Sequence, residues 1–116
     1  MKWGHFPSGR YELLFWVISC CLYPNRSVDH WIKDFIEEGG GIGGDPGWEI
    51  SCVSDVQDGV HYRVWADSEM SGIEPDEAIY TIEEMRKALK ESLLAFAEEY
   101  PEKLIEVKEV LERYKF

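Results

Sequence analysis

Between Lys33 and Arg63 the chain carries no lysine or arginine. Contact with nucleic-acid phosphates needs cations, so this absence argues against a nucleic-acid partner. The whole chain agrees, with 12 Lys and Arg against 23 Asp and Glu and a formal net charge of -11. Cysteine is scarce as well. Cys20, Cys21 and Cys52 are odd in number and lack C-x-x-C spacing, which excludes a disulfide framework and a zinc ribbon and fits reduced, buried thiols in a cytosol. His5, His30 and His61 are scattered without ligand spacing and HExxH does not occur, so no metal and no cofactor are expected. The longest apolar run, LLFWVISCCL, is too short to span a bilayer. Lys2 and Arg10 before it, and Val17-Ile18-Ser19-Cys20 within it, imitate a lipoprotein cleavage box. Glu12 abuts the run, however, and a buried element is the better reading; no membrane partner is expected. Internal repeats and low-complexity segments are absent too.

What is present is the composition of one folded domain spanning residues 1–116: 45% hydrophobic, with five Trp, six Tyr and five Phe. The acidic excess is concentrated. Residues 34–85 hold 14 of the 23 acidic side chains and a single basic one, Arg63. A localised field of one sign speeds the capture of an oppositely charged partner, so a basic protein is the partner class the charge pattern favours.

Periodicity places the elements. The continuous apolar run within residues 9–22 hides its period, leaving helix or strand open, and its length favours a helix. Pro24-Asn25 breaks the chain, and Ser27 can cap a second helix with Val28, Trp31, Ile32 and Phe35 on one face, ended by Gly39 and Gly40. WEISCV and VHYRVWAD alternate on either side of Gln57-Asp58-Gly59, a β-hairpin. A two-residue Asp58-Gly59 turn would mix polar and apolar residues on both faces. A three-residue loop with Gly59 left-handed sets Val56 opposite Val60, Cys52 opposite Val64 and Ile50 opposite Ala66, which leaves one apolar face. The other face then carries Glu49, Ser51, Val53, Asp55, His61, Arg63, Trp65 and Asp67. After the acidic loop SEMSGIEPDE, EAIYT reads as a short third strand. Thr81 and Glu84 form a capping box for an amphipathic helix with Ile82, Met85, Leu89, Leu93, Phe96 and Tyr100 on its apolar face. Pro101 interrupts it, and a last helix follows with Leu104, Val107, Leu111 and Tyr114 on one face and Glu109 four residues before Arg113 on the other. The fold class is therefore α+β, a small antiparallel sheet of a hairpin plus a short third strand packed with N-terminal and C-terminal helices.

Several motifs dissolve on inspection. EEGGGIGGDPGW contains Gly39, Gly41 and Gly44 at the spacing G-x-G-x-x-G, but a dinucleotide loop follows a strand and opens a helix. Here a helix ends and a strand begins. The negative helix terminus, Glu37, Glu38 and Asp45 would all repel a phosphate, so the stretch reads as a mobile acidic connector. In SDVQDG, Gly59 as the sixth position of a calcium loop puts Val56 at the third, where an oxygen ligand is required. Cys52 and His61, the only nucleophile and base placed on adjacent strands, point to opposite faces. No enzyme is expected.

What remains is Trp65 amid Asp55, Asp67 and Glu49, the composition of an interface anchor with an acidic rim, unless helices cover that face. The turn Asp45-Pro46-Gly47-Trp48, the strand GWEISCV and the closing helices of residues 81–116 resemble the immunity proteins of bacterial toxin systems, including contact-dependent growth inhibition. The resemblance implies a cytoplasmic, non-enzymatic inhibitor of a cognate toxin domain, often a basic nuclease. The expected contacts are Glu37, Glu38, Asp45, Asp55, Asp58, Trp65, Asp67, Glu69 and Glu74. Two other readings stay open: a small cytosolic metal-dependent enzyme with an acidic pocket, and a structural subunit assembling through its C-terminal helices.

Overall fold

Alternation of apolar and polar residues is what builds the centre of the molecule, which is seen in a computed structural model describing residues 2–6, 8–29, 32–33, 41–44, 47–55 and 59–116. Four strands, β1 (Gly41–Gly44), β2 (Trp48–Asp55), β3 (Gly59–Ala66) and β4 (Glu77–Thr81), form an antiparallel meander in sequence order. Trp48, Ile50 and Cys52 on β2, Tyr62, Val64 and Ala66 on β3 and Tyr80 on β4 are buried on one face. The side-chain period of two puts their neighbours on the other.

The helices are α1 (Glu12–Ser19), the single turn α2 (Ser68–Ser71), α3 (Ile82–Glu99) and α4 (Leu104–Arg113), the last two joined by a 3-10 turn, Pro101–Lys103. The α+β class is as the sequence indicates, and within the 9–22 run Glu12–Ser19 is helical. α1 and α3 lie against the apolar face of the sheet, where Leu14, Val17 and Ile18 of α1 and Met85, Leu89, Leu93 and Phe96 of α3 are fully buried among the sheet residues. Each such side chain contributes about 1.5–3 kcal/mol of transfer free energy. At the start of α3, the Glu84 amide donates to Thr81 Oγ1 at 3.1 Å and the Thr81 amide to Glu84 Oε1 at 2.9 Å, the expected capping box.

Ser68–Ser71 of the expected acidic loop SEMSGIEPDE forms the helical turn α2, and the structure corrects the sequence reading at four further points. First, the hairpin pairs Cys52 with Tyr62, Ile50 with Val64 and Trp48 with Ala66, two residues from the register expected. Gly59 is left-handed as required, with φ 71°. A slip of two leaves every side chain on its face, so patterning recovers the faces and not the pairing. Second, Gly41–Gly44, read as part of a mobile connector, is the edge strand β1, with Gly43 opposite Glu49 and Gly41 opposite Ser51. Backbone hydrogen bonds do not depend on the side chains that glycine lacks, and an existing strand supplies the partner groups. Third, Ile82 and Leu104, each at the first position of its helix, remain exposed rather than joining the apolar stripe. Fourth, Arg113 pairs with Asp29 and not with Glu109. Tyr114 Oη donates to the same carboxylate at 2.7 Å, tying α4 to the segment after Pro24.

Of the second expected helix, Asp29, Ile32 and Lys33 are helical, and Val28 and Ile32 are buried. Trp31 and Phe35, with the helix end at Gly39 and Gly40, lie outside the described residues. The three thiols are free; Cys21 and Cys52 are buried, and burial raises the Cys21 thiol well above its ordinary range. Among the described residues, no helix is long and apolar enough to cross a membrane.

Candidate functional site

The second face of the sheet follows from the same pleat. Read across the strands, it presents Gly43, Glu49, Trp65 and Glu77 in one rung, then Gly41, Ser51, Arg63 and Ile79, then Val53, His61 and Thr81. Glu49, Arg63, Glu77, Ile79 and Thr81 are exposed, while Ser51, Val53, His61 and Trp65 are half-buried. Among the described residues, no helix covers this face. A sheet with one packed face and one open face is the usual state of an antiparallel meander, but open faces are normally polar. Here Ile79 is 53% exposed and a tryptophan sits at the centre of the first rung.

The geometry around Trp65 is specific. Glu49, Arg63, Trp65 and Glu77 line a cleft of about 260 Å³. Ser51 Oγ donates to Glu49 Oε1 at 2.6 Å, which orients that carboxylate along the face. Gly47, with φ 134°, lies against the six-membered ring of Trp65 and beside the Asp67 side chain; this backbone conformation favours glycine. The Asp67 amide donates to the Gly47 carbonyl at 2.9 Å, fixing the end of β3 against the start of β2. Asp67 also caps α2, its carboxylate accepting from the Glu69 amide at 3.0 Å. Among the described residues, no carboxylate lies within ion-pairing distance of Arg63.

Of the residues expected from the sequence, Trp65 lines this cleft and Asp67 adjoins it through Gly47. Glu69 is exposed on α2. Glu74 is exposed too, but lines a different cleft with Arg10, Glu12, Leu13 and Tyr80. Asp55 ends β2 opposite Gly59, described through its backbone only. Glu37, Glu38, Asp45 and Asp58 lie outside the described residues. Glu77, outside the expected contacts, lines the cleft, as does Glu49, which the sequence places on this face but not among those contacts. The signal for Glu77 was available: once Tyr80 of EAIYT is turned into the core, the pleat turns Glu77 and Ile79 outward beside β3.

A second polar constellation lies at the junction of α1, β4 and α3. Arg10 donates to both Glu84 oxygens, at 3.1 and 3.3 Å, and to the Ile79 carbonyl at 2.9 Å. Tyr11 Oη donates to Glu84 Oε2 at 2.5 Å, and Tyr80 Oη to the Arg10 carbonyl at 2.7 Å. The Arg10 guanidinium also lies over the Tyr80 ring, 5.0 Å from its centroid. Hydrogen bonds from Arg10, the Thr81 amide and Tyr11 hold the Glu84 carboxyl at about 2, well below its usual range. These bonds fasten three elements together through one carboxylate. Cys52 and His61 face opposite sides of the sheet, as the sequence indicates. Among the described residues, no three His, Cys, Asp or Glu side chains converge to hold a metal.

No family model, curated protein or solved structure matches the chain.

Proposed function

We propose that this is a non-enzymatic binding protein that captures and neutralises a basic toxin domain in the cytoplasm, a nuclease in the form the immunity-protein resemblance implies. The observation that carries the reading is the uncovered sheet face: an aromatic residue at its centre, carboxylates on both flanking strands, and apolar Ile79 exposed beside them. A nuclease must present lysines and arginines to phosphates, so an inhibitor with carboxylates competes for the same groove. Charges at the rim act mainly on the association rate, and the aromatic anchor on dissociation.

The test is co-expression with the C-terminal region encoded by the adjacent upstream gene. Rescue of growth and co-purification as a one-to-one complex are the expected results. Neutralising Glu49, Asp67, Glu69, Glu74 and Glu77 together lowers the association rate by about 10–100-fold at low salt, since steering of this kind spans roughly 10–1,000-fold. An association rate insensitive to both salt and these substitutions removes the electrostatic mechanism.

A further inference from the structure

We infer that the open sheet face seats an arginine side chain of the partner on the Trp65 ring between Glu49 and Glu77. This rests on the proposed function and names its central contact. Three observations converge on a guanidinium. Glu49 and Glu77 stand opposite Trp65 on its two neighbouring strands, so the aromatic ring is flanked by carboxylates from both sides. The cleft they line holds two carboxylates against the single guanidinium of Arg63, with Asp67 adjoining, so it lacks at least one positive charge. Its aromatic lining residue is tryptophan, the strongest side chain for holding a cation over a ring. A planar guanidinium can stack on the indole and donate to a carboxylate in the same plane, which an ammonium cannot.

Gly43 completes the rung beside Glu49 and carries no side chain. Glu49 is already oriented by Ser51, so less ordering is needed when the partner arrives. Ile79, exposed in the adjacent rung beside Arg63, offers apolar surface next to the seat. Arg63 then acquires a role: it is the cation within the same cleft, without a described ion pair, and it competes with the incoming one.

The probe is tri-arginine amide, titrated into the ¹⁵N-labelled full chain at low salt, with the Trp65 indole N–H assigned through W65F. The largest shifts are expected at that indole and at the Glu49 and Glu77 amides, with tri-lysine amide binding more weakly. The E49Q/E77Q double variant weakens tri-arginine binding about 10-fold, each exposed charge contributing a factor of up to ~5, and R63Q tightens it. All three positions are exposed, and circular dichroism checks that the variants fold. Shifts centred elsewhere on the acidic surface, or a double variant that binds as wild type, overturn the seat. The co-expressed basic domain separates the two claims. If that domain binds wild type and E49Q/E77Q equally well, the seat fails and the function stands; if it binds neither while tri-arginine maps to Trp65, the function fails and the seat stands.

Discussion

Phe96→Ala is expected to destabilise the protein by about 3–5 kcal/mol, the range for truncating a fully buried aromatic, and to lower Tm by roughly 12–20 °C for a chain of this size. Phe96 is completely buried on the sheet-facing side of α3. Its ring meets Trp3 edge-on at 5.0 Å and Tyr100 at 5.0 Å, and Tyr100 is the residue at which α3 ends. Truncation therefore leaves a cavity and also frees the N-terminal Trp3 and the turn at Pro101 from their shared contact. Phe96→Leu, which refills most of the volume, recovers more than half of the loss. Thermal unfolding followed by circular dichroism makes the measurement, and a fall in Tm below 5 °C for the alanine variant contradicts the placement of Phe96 at the centre of the core. Phe96 and Trp65 sit on opposite faces of the sheet, so their effects should add. At a temperature where the alanine variant is folded, its affinity for a basic partner equals that of wild type.

That separation of faces is the part of the structure most legible in the sequence. Alternation in WEISCV and VHYRVWAD assigns Ile50, Cys52, Val64 and Ala66 to the core and Glu49, Arg63 and Trp65 to the other face, and it does so whichever even-numbered register the hairpin adopts. The capping box at Thr81 and Glu84 and the break at Pro101 are equally local and equally visible. Three things were not visible, each because it depends on residues distant in sequence. β1 exists because β2 offers it hydrogen-bonding groups, and GIGG has no side-chain pattern to announce that. Glu77 flanks Trp65 only once β4 is registered against β3, across the acidic loop between them. Asp29 draws Arg113 away from Glu109 because the tertiary fold brings them together, 84 positions apart. The acidic candidates chosen from charge alone were accordingly dispersed: Glu74 faces a cleft that Trp65 does not line, whereas Glu49 and Glu77, singled out by pairing, stand beside it.

Glu84 gives the second large effect, and its sign with pH can be worked out. The carboxyl is held at about 2 in the folded protein, against an ordinary value of 4.5. A depressed carboxyl stabilises the folded state fully above its unfolded value, and this contribution is lost as pH falls through the interval toward the folded value. Wild type should therefore lose stability between about pH 5 and pH 2, and Glu84→Gln should flatten that part of the curve while lying below wild type at pH 7. Glu84→Ala at pH 7 removes the acceptor for the Thr81 amide, half of the capping box, and leaves the Arg10 guanidinium with the Ile79 carbonyl and the Tyr80 ring. The cost is about 2 kcal/mol, with loss of a cap accounting for roughly 1 and the charge-assisted pair, screened by solvent at this partly exposed site, for the rest. Chemical denaturation across pH 2–8 for wild type and both variants makes the comparison, and parallel curves for wild type and Glu84→Gln below pH 5 would count against the assignment. The consequence reaches the open face. Arg10 grips the backbone of Ile79, whose side chain lies on that face two residues from Glu77, so the staple at Glu84 also holds the outer strand of the proposed arginine seat. Glu84→Ala should weaken tri-arginine binding modestly, by less than E49Q/E77Q, because it loosens β4 without removing a carboxylate from the cleft.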